Sequence, residues 1–515
     1  MELRGGYSGA RAERGLRFPG AAAGISPVRD LIRDPAWSEA DLGLPLPESP
    51  HACAVCLPTW DSVVGYEESV EKVVLKLQTG YPRFFLNPKV TALFGRAEET
   101  LAHNGEKAVV FPTKNACQRA QRYVERRESV AARIASFDGL QALLVPAEAY
   151  AAAKDYWKHT GEIVSSRQAE DFLAETMCEG GSTQFLEPLA KIMRVAVEDF
   201  FVYESGMAAI YAAYRAVIKR RPGKKTLQLE FPYVDALKIQ EQFGSGAVFL
   251  PHGSGEGMAE ALQRVRAGEF AGVFCEVPSN PLLHTVDLEA IASACRDSAT
   301  PLLVDDTVSS HVNIDAFPHA DLVTTSLTKW VSGAGDVMAG SIKLNAGSPI
   351  HAELRAHLLE GAPGQSTLYS RDAEVLAGNA VGMDERVAAA NRGAEIVADY
   401  LHAHPAVDQV WYPKFEDRAE YEALMVEGGG YGGLMSIQLK NDKRAPRVYD
   451  SLRWCKGPSL GTNFSLACPY SLLAHYHELE WAEGCGVPAN LLRLSVGLED
   501  PADLCARLGE ALEQA

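Results

Sequence analysis

The run DLVTTSLTKWVSGAGDVMAG, residues 321–340, carries the strongest chemical signal in the chain. An apolar stretch leads into small hydroxyl residues, then Lys329, then a glycine-rich segment. In a parallel sheet this order sets an amine at the carboxyl ends of the strands, where open α/β sheets bind ligands. A lysine among apolar and small groups has a lowered pKa and serves as a Schiff-base amine. Ser326 and Thr328 offer hydroxyls to a phosphate, and glycines let the backbone approach closely. An isolated SxTK tetrapeptide is more often a solvated lysine after a strand. This one is not isolated.

About twenty residues upstream, PLLVDDTVSS ends an apolar strand on Asp305. A carboxylate there suits the ring nitrogen of pyridoxal phosphate, whose protonated pyridine is an electron sink. Its bland role is a turn cap. EVPSNP (276–281) puts Asn280 after another strand, and YESGMAAI (203–210) puts Gly206 and Met207 at a helix start. That helix end has free N–H groups and a dipole that attract an anion.

The elements that must hold these residues alternate. DFFVYESG enters a helix over MAAIYAAYRAVIKRR, followed by the short apolar runs TLQLEFP, GAVFLP, GVFCEVP, PLLVDD and DLVTTS. Strands separated by helical lengths predict a mostly parallel sheet covered by helices. A long helix from about Gly382 to His402 leads to a smaller terminal unit containing AVDQVWYP, GGLMSIQLK and LLRLSVG. Before position 180 the spacing predicts a helix over Trp60 to Gln78, strands at 108–112 and 142–146, and an amphipathic helix over NACQRAQRYVERR. Residues 1 to about 50 are rich in Gly, Ala, Pro and Arg and read as a mobile or peripherally docked arm.

With 515 residues, the chain has room for about three domains, at ~100–200 residues each, or one large α/β unit with an extension. Its 49 basic and 67 acidic residues leave a formal charge of −18, which argues against nucleic-acid or acidic-membrane binding. No run of about 18 apolar residues predicts a membrane span. The N-terminus carries Arg and Gly where a signal peptide needs an apolar core. Of ten scattered cysteines only Cys53 and Cys56 have CxxC spacing, so reduced thiols of a cytoplasmic protein are expected and no metal site is.

The ordered set SGMAAI, EVPSNP, VDDT, SLTKWVSGAGDVMAG and LLRLSVGLED resembles the Cys/Met-metabolism family of pyridoxal-phosphate enzymes over about 300 residues. HACAVCLPTWDSVVGYEE, TGYPRFF and FPYVDALKIQEQFGSG look like its fungal-type cystathionine gamma-synthases. Two departures stand out: Ala334 and Gly335 precede Asp336 where the family has a histidine, and VDNT reads VDDT. The resemblance implies a fold type I pyridoxal-phosphate transferase, aspartate-aminotransferase-like, with a mostly parallel sheet in a large domain and a smaller C-terminal α/β domain. It divides the chain into an N-terminal arm with an inserted α/β segment at about 90–180 (1–180), a cofactor-binding large domain (181–387) and a small domain (388–515).

Roles follow residue by residue as expectations from that resemblance. Lys329 would carry the cofactor and shuttle protons, Asp305 would pair with the ring nitrogen, and Asn280 would reach the ring hydroxyl. Gly206, Met207, Ser326 and Thr328 would hold the phosphate, Thr307 of VDDT joining the cofactor site, and Tyr233 would stack on the ring. Tyr81 and Arg83 would reach the phosphate of a neighbouring subunit in a homodimer or homotetramer with shared sites. In the wider family this pair lies shortly before SGM, yet here it lies over 120 residues before Ser205. Arg493 would fork onto the substrate carboxylate, Ser459 would lie near the lysine, and Lys238 would meet the far end of a succinyl group. The implied reaction joins an O-acyl-homoserine to cysteine, giving cystathionine for transsulfuration and methionine biosynthesis. Alternatives are a sulfhydrylase, a γ- or β-lyase, a carbon-nucleophile transferase of specialised metabolism, or a non-catalytic relative.

Overall fold

The computed structural model describes residues 29–103, 105–178 and 181–514. The arm expected over residues 1 to about 50 therefore lies partly outside the described residues.

Three sheets organise the chain. The first is antiparallel, β1 (Lys107–Phe111), β2 (Arg133–Phe137) and β3 (Leu140–Val145), in the order β1-β3-β2. The second holds β4 (Phe200–Tyr203), β5 (Thr226–Leu229), β6 (Ala247–Leu250), β7 (Val273–Glu276), β8 (Leu302–Asp305), β9 (Leu322–Ser326) and β10 (Gly340–Leu344). Its order is β4-β10-β9-β8-β7-β5-β6. The five strands from β6 to β9 run parallel, and β10 is antiparallel to both its neighbours. The third comprises β11 (Val407–Trp411), β12 (Leu434–Leu439), β13 (Cys455–Lys456), β14 (Leu466–Pro469) and β15 (Leu492–Ser495), in the order β11-β12-β15-β14-β13.

The helix Gly206–Arg220 explains how the first two sheets join. Ser205 caps it, its Oγ accepting from the Ala208 N–H at 3.0 Å. The helix is buried almost all round, because it packs on the large sheet with one side and on the first sheet's helices with another. Val109, Phe111, Tyr156 and Trp157 of the first unit share one core with Tyr203, Tyr211, Tyr214 and Leu344. The inserted unit thus has no core separate from the large domain.

Two sequence expectations change. The helix expected over Trp60 to Gln78 is two short helices, Trp60–Glu67 and Glu71–Val74, interrupted at Ser69, whose φ is +56°. Strand β10 has no counterpart in the sequence reading. Its GSIKL carries a lysine that hides the apolar run, since Lys343 is buried against Asp306 at 3.0 Å. A paired charge lets a polar residue sit inside a sheet.

The described part of the segment before Trp60, from residue 29 on, is docked. Leu31, Leu46, Ala54 and Cys56 pack against Cys455, Phe464 and Leu466 of the small domain. Both CxxC thiols are buried, Cys56 in this cluster and Cys53 in the core shared by the inserted unit and the large domain. No described helix is long and apolar enough to cross a membrane.

Candidate active site

A cavity of about 710 Å³ opens at the carboxyl ends of β7, β8 and β9, between the large sheet and the small domain. Neighbouring parallel strands end in register, pairing Glu276 with Asp305 and Asp305 with Thr324. Their end residues therefore face one space together with the start of the helix Gly206–Arg220. From the small domain, β15 contributes Arg493, and the N-terminal segment contributes Tyr81 and Arg83.

Lys329 follows β9 by three residues and lies in this cavity. Its Nζ donates to Ser459 Oγ at 3.0 Å and sits 4.6 Å from the centre of the Tyr81 ring. No carboxylate pairs with it among the described residues. Burial, helped by the positive charge of Arg493, pulls its pKa down to about 7. About half of the amine is thus a neutral nucleophile at neutral pH.

The two aspartates of VDDT separate by strand alternation. Asp305 turns into the cavity and accepts from Thr324 Oγ1 and the Thr307 N–H, both at 2.9 Å. Asp306 points away, to Lys343. Burial raises the Asp305 pKa to about 6, a carboxylate short of a cationic partner. A protonated ring nitrogen would supply one.

At the other end of the cavity lie Gly206, Met207, Ser326 and Thr307. A side chain at Gly206 would come within 2.8 Å of Ser326 Cβ, so glycine lets the helix start lie against the strand end. Helix geometry leaves its first N–H groups without intrahelical acceptors. Arg83 is buried beside them, donating to Asp235 at 2.6 Å and to Tyr233 Oη. Thr328 is not brought here: its hydroxyl donates to the Ala339 carbonyl at 3.3 Å and accepts from the Ala339 N–H at 3.1 Å, turning it into the loop before β10. Tyr81 and Arg83 line the cavity of their own chain.

Arg493 is 7 % exposed and has no carboxylate partner among the described residues. It donates to Asn280 Oδ1 and to the Ser459 carbonyl, each at 3.0 Å, and stacks over Tyr470. A buried, unpaired guanidinium at a cavity wall is a receptor for a carboxylate. Asn280 is engaged with Arg493 and Tyr470, so its amide orients the arginine first. Lys238 lines the outer cavity, but it is ion-paired with Glu478 at 3.1 Å and with Glu241 at 3.8 Å. Its charge is already answered, which removes the free cation expected for a succinyl carboxylate.

Sequence reasoning missed Glu276, Tyr470, Asp235 and His159. Glu276 accepts from the N–H groups of Tyr233 at 2.6 Å and Asn280 at 3.2 Å. Burial, with the neighbouring charge of Asp305, pushes its pKa well above the usual carboxylate range. Its place in EVPSNP, at a strand's carboxyl end, was the available signal; His159 had none.

The cavity presents an unpaired buried amine, a buried carboxylate in want of a cation, and a helix start beside a buried arginine. This donor set fits the aldehyde, ring nitrogen and phosphate of pyridoxal phosphate. Fold and site define a pyridoxal-phosphate-dependent enzyme of fold type I. Comparison with known proteins narrows the class. The model of the Cys/Met metabolism PLP-dependent enzymes matches residues 170–513, and that of the fungal trans-sulfuration enzyme N-terminal domain matches residues 89–165. The chain belongs to this Cys/Met metabolism family.

Cystathionine gamma-synthase of Neurospora crassa is 31% identical, over 92% of this chain and 98% of that protein. An L-2-amino-4-chloropent-4-enoate dechlorinase/desaturase of Streptantibioticus cattleyicolor is 29% identical over the same shares. Among solved structures, apo CalE6, a methionine gamma lyase from Micromonospora echinospora, superposes with a TM-score of 0.55 at 27% identity. It covers 65% of this chain and 87% of its own.

Proposed function

We propose that the protein catalyses γ-substitution on an O-acyl-homoserine with cysteine, giving cystathionine. The observation that carries this reading is the pairing of an unpaired Lys329 amine with an unpaired Arg493 guanidinium across one cavity. That is what an α-amino acid needs: a basic group near its Cα and a fork for its carboxylate. Bound pyridoxal phosphate supplies the electron sink that makes protons on the substrate's α and β carbons removable.

In this reading Arg493 holds the α-carboxylate, with Asn280 and the Ser459 carbonyl fixing the plane of the guanidinium. Lys329 removes the α-proton and moves protons at the neighbouring carbon. Ser459 Oγ accepts from the ammonium form and steadies it between transfers. Asp305 would hold positive charge at the ring nitrogen, and Tyr233 would line the ring's place. Gly206, Met207, Ser326, Thr307 and Arg83 would take the phosphate. The C–O bond at the γ carbon breaks and a C–S bond forms, the thiol proton leaving with the released acid. Because Lys238 is already paired with Glu478, the cavity favours a short uncharged acyl group such as acetyl.

A second reading, elimination at the γ carbon, is supported by the kinship to a methionine gamma lyase and to a dechlorinase/desaturase. The test is incubation of the holoenzyme with O-acetyl-, O-succinyl- and O-phosphohomoserine, each with and without cysteine, and identification of the products. Cystathionine formed only with cysteine, fastest from the acetyl ester, is expected. 2-Oxobutanoate released equally with and without cysteine would establish elimination instead. A cofactor-loaded protein that consumes none of the esters would overturn both.

A further inference from the structure

We propose that the inserted unit (the helices and strands between Pro88 and Leu173) is a positioning device that completes the anion-binding end of the cavity within a single chain, acting through His159 on Asp235 and Arg83. The inference rests on the reading of that cavity as the pyridoxal-phosphate site.

Arg83 is held from three directions. Its Nη1 donates to Asp235 Oδ2 at 2.6 Å and to the carbonyl of Lys158, and its Nη2 donates to Tyr233 Oη. Lys158 and His159 belong to the inserted unit's helix Tyr150–Thr160. The other oxygen of Asp235 is taken by His159 Nδ1 at 2.9 Å. One carboxylate therefore couples the inserted helix to the arginine, and all three groups are buried or nearly so. A guanidinium has five N–H donors. Three are used in these contacts, and Nε and the second Nη2 hydrogen have no acceptor among the described residues. The geometry leaves an oriented pair of donors for an anion in the cavity.

The same helix end abuts the start of Gly206–Arg220. Gly161, at φ +68°, caps the inserted helix, and its carbonyl accepts from Ser205 Oγ at 2.9 Å. A Cβ at Gly161 would lie 2.1 Å from Ser205 Oγ and 2.9 Å from Met207 Cβ. Behind it, Glu162 accepts from Arg119 Nε at 3.1 Å and Tyr156 Oη at 2.5 Å, both on the unit's own helices, and faces Arg215 of the helix Gly206–Arg220 at 3.9 Å. The inserted unit thus fixes both halves of the anion end: the arginine and the helix start. Tyr81 and Arg83, so far from Ser205 in sequence, need no second chain to meet it.

The test uses apoprotein titrated with pyridoxal phosphate and with pyridoxal, which lacks the phosphate, followed by absorbance. His159→Ala is expected to weaken pyridoxal-phosphate binding about ten-fold or more while pyridoxal binding hardly moves. His159→Gln, whose amide can still donate to Asp235, is expected to restore most of the loss. A second arm co-expresses Lys329→Ala and Arg83→Ala chains under different tags and purifies any hybrid through both. No hybrid, or a hybrid with no tight pyridoxal-phosphate site joined to an intact Lys329, is expected. A hybrid that regains such a site, or a His159→Ala protein that binds both ligands as the wild type does, would overturn the inference. Equal loss of both ligands in His159→Ala and His159→Gln would also overturn it, as a general packing defect. Wild-type protein that takes up no pyridoxal phosphate would instead refute the cofactor reading on which it rests.

Discussion

Lys329 shows what burial does to one residue. A solvated lysine amine titrates near 10.4, and the amine here is pulled down to about 7 because its charged form loses hydration and faces Arg493. The neutral amine is the nucleophile, so its fraction grows as pH rises through that value. Capture of pyridoxal phosphate by the apoprotein should therefore accelerate about ten-fold per pH unit below 7 and level off above it. Stopped-flow absorbance from pH 5.5 to 9 measures this directly. A rate still climbing at pH 9 would mean that the amine is solvated. The amino-acid sequence locates this lysine through SLTK, but the absence of a paired carboxylate is a property of its surroundings.

At the scale of elements, the decisive contact is the close approach of β10 to the start of the helix Gly206–Arg220. A Cβ on Gly340 would lie 2.2 Å from the Ser205 carbonyl oxygen and 2.6 Å from Gly206 Cα. Neither atom can rotate away, since both belong to backbone. Gly340→Ala should cost about 1–3 kcal/mol of stability. It should also weaken cofactor binding, because the displaced helix start lines the cavity. Gly378, inside the helix Ser370–Asn379, has nothing within 4 Å of its Cβ position. Gly378→Ala should be neutral or stabilising, by up to ~1 kcal/mol. Urea unfolding of the two variants gives the comparison, and equal midpoints would show that β10 and the helix can separate freely. In sequence these two glycines look alike: each follows an alanine.

Across the whole molecule, the N-terminal segment is joined to the small domain by a buried lysine. Lys456 is fully buried on β13, and its Nζ donates to the carbonyls of Pro58 at 2.8 Å and Asp450 at 2.9 Å. Its backbone pairs with Leu57 and Ala36. Burial lowers its pKa to about 8, so it carries its charge at neutral pH and makes two charge-assisted bonds. Lys456→Met keeps the length but leaves two buried carbonyls unanswered, a loss of about 1–3 kcal/mol. Hydrogen exchange at the Val55 to Leu57 amides should then speed up by ~5–100-fold while the large sheet stays protected. Unchanged exchange in that segment would show that the apolar contacts alone hold it. Sequence composition marks this region as an arm, because its Gly, Ala and Pro lack periodicity. Its docking depends on partners about 400 residues away in the chain.

Local order along the chain determined the catalytic frame: alternating strands and helices, and SGM, EVPSNP, VDDT and SLTK each at a strand end or helix start. Those signals are short-range, because strand polarity and turn chemistry are written in neighbouring residues. Only the tertiary structure decided that Thr328 turns away and that Glu478 answers Lys238. It also decided that His159, a residue with no motif, stands behind Asp235 and Arg83. The contacts of Lys238 and of His159 depend on which charge meets which across distant segments. Coulomb and desolvation energies are set by distance in space, and sequence separation does not carry that distance.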